Sequence, residues 1–371
     1  MLTIIFGAGA SHDIAPITAG AHRNKTAWNP PLTAALFAPE AIWSVENGGI
    51  TPPRNLAPVL QHVRQQTRVF GIEGALERLK SEAVNNPKEW AQLLAIQEWL
   101  GLVISRCTEE SIKYLNDATT YVDLVSKLDR WQAQVRVPIN YITFNYDTLL
   151  ERAIERCQTK PPNVQGFGFY EEFNVFKPHG SIGWSWEIRF DAGRNDICDR
   201  YPSLSELQSL KLELTPSTGQ PQKRKMPDGT QFATMPAIAI PVVIKLANDF
   251  VFTPGREGAM LTALSGTTAM LVIGWAAAEQ HFMNHVKAQV QAHIPVLVVC
   301  GKGGDATCES LRTAANFPVD WNQETRQSHI WHLRRLLSCL PCAKTCMWRR
   351  HLCRRRRERE CGLAPAPLRG A

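Results

Sequence analysis

The sequence predicts an α/β fold in which a mostly parallel sheet carries helices on both faces, with a helical subdomain inserted after the first strand. Three observations support this. Short apolar runs at 2–6, 141–144, 269–273 and 295–300 have the length of strands buried on both faces. From residue 141 onward such runs alternate with helical patterns, as in βαβ units. Between 56 and 131, helix follows helix with no strand between them.

Leu2-Thr3-Ile4-Ile5-Phe6 is the first strand, and Gly7-Ala8-Gly9-Ala10-Ser11 follows it directly. Glycine permits a sharp turn and the close approach of a phosphate, and a helix opening here presents its N-terminus to an anion. His12 stands where a full dinucleotide fingerprint has a third Gly, so the loop also reads as a plain strand–helix turn. Residues 12–55 carry six prolines and read as a loop-rich flap. The insertion is expected to hold four helices with three amphipathic faces: Ile72, Ala75, Leu76 and Leu79; Trp90, Leu93, Leu94, Ile96, Trp99 and Leu100; and Ile112, Leu115, Val122, Val125 and Leu128. These are core positions rather than ligand contacts.

Thr143-Phe144-Asn145-Tyr146-Asp147 marks the next strand–helix junction, with Leu149, Leu150, Ala153 and Ile154 on one face of a helix at 148–158. Parallel sheets bind ligands at the carboxyl ends of their strands, where a carboxamide and a carboxylate two residues apart can both face a crevice. The same two residues suit helix capping. The strand 173–177 ends in Pro178-His179-Gly180-Ser181, which sets an imidazole beside backbone N–H groups and a hydroxyl. Residues 183–234 are poorly patterned, and 215–230 read as a mobile loop. Residues 235–246 are apolar with prolines and close on Lys245. Helix 257–265, strand 269–273 ending in Gly274-Trp275, helix 279–291, strand 295–300 and helix 306–315 complete the regular body.

With 371 residues, 44% hydrophobic and 20% charged, the chain has the composition of a soluble globular protein. No apolar run approaches the roughly 18 residues of a membrane span. An N-terminus without a basic n-region predicts no signal peptide, and scattered single Cys fit a reducing, cytoplasmic setting. Of the net charge of +7, residues 330–371 supply eleven Lys/Arg against two Glu, which leaves the rest slightly acidic. Nucleic-acid binding would therefore rest on this tail alone. Cys339, Cys342, Cys346, His351 and Cys353 have metal-like spacing, but they sit among arginines without a knuckle glycine. A disordered basic tail, a zinc site and a terminus without selected function are the readings left open there. The expected division is a body at 1–315, with the helical insertion at about 56–131, and a Cys/Arg-rich tail at 316–371.

GAGAS at 7–11, TFNYD at 143–147, KPHGS at 177–181 and VIGW at 272–275 occur in that order. The set resembles the sirtuin-like family, in particular its bacterial branch of NAD-hydrolysing domains from antiphage defence systems, over about residues 1–315. The resemblance implies a Rossmann-like sheet, NAD as substrate and no metal. It implies that Gly7, Ala8, Gly9, Ala10 and Ser11 cradle the pyrophosphate. Thr143, Phe144, Gly180, Ser181, Gly274 and Trp275 would complete the cofactor site. Asn145 would hold the water or ribose at the nicotinamide-bearing carbon, Asp147 would fix Asn145, and His179 would act as general base toward the ribose hydroxyls. Two positions depart from the family: Ala276 replaces a common small hydroxyl residue, and Glu279 a common Asp. Deacylating sirtuins carry a zinc module of paired CxxC motifs, whereas this chain has only Cys198 between 183 and 270. The expected activity is hydrolysis of NAD to nicotinamide and ADP-ribose by a toxic effector. Such an effector would be held silent by homo-oligomerisation or by a separately encoded sensor protein. NAD-dependent protein deacylation and non-catalytic sensing of NAD or ADP-ribose are the alternatives.

Overall fold

The computed structural model describes residues 1–14, 28–38, 41, 50, 56–83, 86–158, 166–190, 213–216, 223–225, 231–241, 251–252, 255–291, 293–301, 304–315 and 319–321. In chain order the elements are β1 (Leu2–Phe6), α1 (Ala8–His12), α2 (Leu56–Ala83), α3 (Pro87–Leu115), α4 (Thr120–Val135), β2 (Ile139–Thr143), α5 (Leu149–Cys157), α6 (Gly168–Glu172), β3 (Val175–Phe176), β4 (Gly180–Phe190), β5 (Glu213–Pro216), β6 (Lys223–Lys225), β7 (Gln231–Ile238), α7 (Arg256–Ser265), β8 (Ala269–Ile273), α8 (Gln280–Gln289), β9 (Val296–Val299), α9 (Gly304–Ala315) and β10 (Val319–Trp321).

The apolar runs pair as the sequence predicts. Six strands form one sheet in the order β10-β9-β8-β1-β2-β3, every pair parallel. Numbered by appearance in that sheet, the order is 3-2-1-4-5-6, that of a doubly wound dinucleotide-binding fold. The winding reverses between β1 and β8, so the loops after these two strands flank the crevice where such sheets take their ligands. β1 lies at the centre: Ile4 sits opposite Tyr141 on one side and Leu271 on the other.

Strand alternation sorts the core into two layers. Leu2, Ile4 and Phe6 pack with Tyr121, Val125 and Leu128 of α4 and Leu149, Leu150, Ala153 and Ile154 of α5. Ile5, Ile142, Met270 and Val272 face the other way, onto Met260 and Leu264 of α7, Phe282 and Val286 of α8 and Leu311 of α9. Helices thus cover both faces. A third cluster holds α2 to α3 through Leu60, Leu76, Ile96, Trp99 and Leu100.

The inserted helices start and stop where their sequence says. Asn86 caps α3 by accepting from Lys88 N, with Pro87 at the first turn, and Asn116 ends it in the left-handed region. Thr119 caps α4 through Val122 N. α2 is broken at Gly71 (φ 70°, ψ 171°), which gives four helical segments in all. The expected third face is divided: Ile112 and Leu115 belong to α3, whereas Val122, Val125 and Leu128 belong to α4.

Three expectations need correction. The segment read as poorly patterned contains an antiparallel sheet in the order β5-β4-β7-β6. Parts of the expected loop at 215–230 are strands, β6 among them. The parallel sheet also extends past residue 315, because β10 pairs with β9. Much of the flap at 12–55, the stretch ending at Lys245 and the Cys/Arg-rich segment lie outside the described residues.

Gly274 has φ 59°, and a Cβ added there would lie 2.3 Å from Ala10 N. Both strain and collision oppose a side chain. Gly274→Ala should lower unfolding free energy by at least about 2 kcal/mol. Urea titration checks this, and an unchanged midpoint contradicts it.

Candidate functional site

The turns after β1 and β8 are locked together by their backbones. Gly7 N donates to Ile273 O and Gly9 N to Gly274 O, each at 3.0 Å, while Ala10 N donates to Gly7 O at 2.9 Å. A Cβ on Gly7 would meet Trp275 Cα at 2.5 Å. Glycine is therefore required at 7 and 274 by chain-to-chain contact, whatever else it serves. Ala8 is exposed and Gly9 half-buried, whereas Ala10 and Ser11 are buried. Three amides of the expected phosphate cradle are thus engaged within the protein.

Asn145 lies beneath this interlock. Continuing the alternation of β2, residues 143 and 145 point to the layer of α4, and 144 and 146 to the opposite side. The buried Asn145 side chain accordingly meets Gly7, Ser11 and Tyr121: Nδ2, with two hydrogens to give, lies 2.9 Å from Gly7 O, 2.8 Å from Ser11 Oγ and 3.1 Å from Tyr121 Oη. Gly7 O can only accept, so the atom facing it must be the amide nitrogen. This leaves Asn145 Oδ1 as a buried acceptor with no hydrogen-bond partner among the described residues. Asn145 N donates to Thr143 Oγ1 at 3.2 Å, which steadies the turn.

His179 reaches the same segment from the other side. Its ring packs edge-on to Phe144, with centroids 4.9 Å apart, and lies 6.1 Å from Tyr146. Nδ1 is 3.2 Å from Phe144 O. A carbonyl only accepts, so in the neutral imidazole Nδ1 carries the proton and Nε2 the lone pair. The two side chains thus lie on opposite sides of the 144–146 segment, the Asn145 amide turned toward the β1 turn and the His179 imidazole set against the rings of Phe144 and Tyr146. Gly180 (φ 76°) lets β4 start against β7, since a Cβ would fall 1.9 Å from Ala237 O. Ser181 Oγ donates to Tyr146 O at 3.4 Å. Phe144 also stacks on Trp275 at 5.2 Å and 7°, and Trp275 Nε1 donates to Glu279 Oε2 at 2.6 Å. The Glu at position 279 thus anchors the indole.

Asp147 precedes Thr148, the N-cap of α5, and its Oδ1 accepts from the N–H of Leu149, the first residue of that helix, at 3.1 Å. The carboxyl is fully buried. Desolvation pushes its pKa above the ordinary 3.8, against the opposing pull of Lys177, the Ser11 hydroxyl and the Leu149 N–H. Below it lies a network that the sequence reading missed. Lys177 Nζ, fully buried, donates to Glu151 Oε1 at 2.8 Å and also to Asp147 O. Tyr170 Oη donates to the same Glu151 oxygen at 3.1 Å. A lysine ending the apolar run at 173–177 was the available signal for this network. Tyr121 carried none, because on α4 it reads as a core aromatic.

A cleft of about 500 Å³ opens nearby between α3, α5 and β4, lined by Lys113, Asp117, Thr148, Arg152 and Gly183 among others. Arg152 and Arg156 both pair with Asp117 there. Neither Asn145 nor His179 lines this cleft.

Fold and site define a doubly wound α/β protein with a buried amide and imidazole beside the reversal of its sheet. No family model matches the chain, and no curated protein sequence matches it. Among solved structures, a Sir2 homolog in complex with NAD is similar at 14% identity, over 84% of this chain and 88% of that one, with a TM-score of 0.32. A mutant Sir2 homologue in complex with 2'-O-acetyl ADP ribose gives the same identity and TM-score over 84% and 91%. Likenesses this slight decide neither fold nor activity.

The raised pKa of Asp147 has a signed consequence. The unfolded chain loses this proton first, so native stability falls as pH rises through the window above 3.8. Asp147→Asn keeps an acceptor for Leu149 N and removes the titration. Urea melts from about pH 4 to about pH 8 should show wild type losing ground to Asp147→Asn as pH rises. A pH-independent difference contradicts this.

Proposed function

We propose that the chain hydrolyses NAD to nicotinamide and ADP-ribose, with Asn145 and His179 as the reacting groups. The observation that carries this reading is the buried Oδ1 of Asn145. Its amide is pinned from the nitrogen side by Gly7 O, Ser11 and Tyr121, and its oxygen has no hydrogen-bond partner among the described residues. A preorganised acceptor of this kind orients a water by accepting one of its hydrogens, which leaves a lone pair for attack. Support also comes from its place beside β1 and β8, where the sheet reverses direction.

The chemistry asks for little acid catalysis. The bond between the ribose carbon and the nicotinamide nitrogen breaks with its electron pair going to nicotinamide, which departs neutral. The carbon becomes oxocarbenium-like, as in other glycosyl cleavages. Water adds its oxygen there and releases a proton to solvent. His179, held with Nδ1–H on Phe144 O, offers Nε2 to a ribose hydroxyl as the base. Trp275, stacked on Phe144, walls the adenosine side. Because Gly7 N, Gly9 N and Ala10 N are already bonded, the pyrophosphate is assigned to the outer surface of the Ala8–Gly9 turn.

In this reading the enzyme is a depleting effector of antiphage defence, kept silent by assembly or by a separately encoded sensor. A deacylase would need acyl-lysine turnover. A sensor would bind NAD without releasing nicotinamide.

Chromatography of NAD incubations, with and without candidate partners, should show nicotinamide and ADP-ribose. Asn145→Ala and His179→Ala should each slow release by at least about 100-fold with the circular dichroism spectrum retained. Variants as fast as the parent remove this mechanism.

A further inference from the structure

Helices α7 and α8 pack side by side over the sheet, well away from Asn145 in sequence. His281 and His285 lie one turn apart on α8, so their rings share one face. The rings meet edge-on, with centroids 4.4 Å apart, and the two Nε2 atoms are 2.9 Å apart. Glu257, from α7, completes a group whose three ligand atoms all lie within 4.8 Å of one another. The histidines are half-buried and Glu257 is exposed, so the cluster opens to solvent on one side.

We propose that Glu257, His281 and His285 form a binding site for a divalent transition metal ion, zinc by the character of its donors. Two imidazoles and one carboxylate are a common zinc donor set, with a fourth position open to water. Two nitrogens bound to one zinc lie about 3.3 Å apart, given bonds of about 2.0–2.1 Å and a tetrahedral angle. The observed spacing needs only a slight spreading of the rings. Imidazole nitrogen disfavours Mg²⁺ and Ca²⁺, which prefer oxygen. Imidazole ligates in its neutral form. The ion would clip α8 to α7, and α8 follows directly on the Trp275–Glu279 bond. This site is separate from the proposed hydrolysis and is tested without NAD.

The test uses untagged full-length chain stripped with chelator, titrated with Co(II) and then Zn(II). Cobalt should give tetrahedral visible bands without sulfur-to-cobalt charge transfer, and zinc should displace it. Saturating zinc should raise the melting temperature by at least about 2 °C. Glu257→Gln, exposed and benign for folding, should weaken binding at least about 10-fold. His281→Ala should weaken it at least about 100-fold. Cys339→Ser with Cys342→Ser should leave these bands unchanged. Bands that survive both the Glu257→Gln and His281→Ala changes, bands that vanish in the cysteine variant, or no cobalt binding at all would each overturn the proposal.

Discussion

The structure depends on two backbone turns that touch. Where β1 and β8 leave the sheet, Gly7, Gly9 and Gly274 bring their chains within hydrogen-bonding distance, with no side chain between them. This contact fixes the point at which the winding of the sheet reverses. It also fixes Gly7 O, the carbonyl that decides which way the Asn145 amide turns. A purely local constraint, the lack of room for a Cβ, therefore reaches a buried carboxamide oxygen that has no hydrogen-bond partner among the described residues.

Around that interlock the protein buries a cluster of polar side chains. Ser11, Asn145, Asp147, Glu151, Lys177 and His179 are all buried. Such groups are costly to desolvate unless they satisfy one another, and most do so here through bonds between elements far apart in sequence. Lys177 joins the end of β3 to α5, while Tyr121 joins α4 to the β2 turn. The insertion is tied to the sheet partly through this tyrosine, so the helical subdomain and the site share a foundation.

How much of this the sequence disclosed follows from where the information lies. β1, β2, β8 and β9 were legible because strands covered on both faces are uninterrupted apolar runs. The antiparallel sheet was not, since its strands mix Trp184, Trp186 and Pro236 with polar residues and its pairing is non-local. β3 has two residues and β10 three, too few for any pattern. Asn145, Asp147 and His179 stood out by their place on turns; the partners of Asn145 and His179, on the β1 turn, α4 and the 144–146 segment, were not legible because those contacts are non-local. Glu151 was hidden inside a helix whose carboxylates otherwise read as solvent-facing. The His281–His285 pair was not singled out in the sequence, since two histidines four residues apart are no signal until a third donor, here from another helix, joins them.

One torsion joins the two sheets. Gly180 follows His179 and turns β4 into the antiparallel layer, with Ala239 N and Val251 bonded on either side of the imidazole's own backbone. Ile182 N and the Ser181 hydroxyl, just past that glycine, both reach Tyr146 O, so β4 is fastened to the residue after Asn145 as well as to His179. A pull on the outer strands of the smaller sheet would therefore be shared by the two turns rather than felt at one of them.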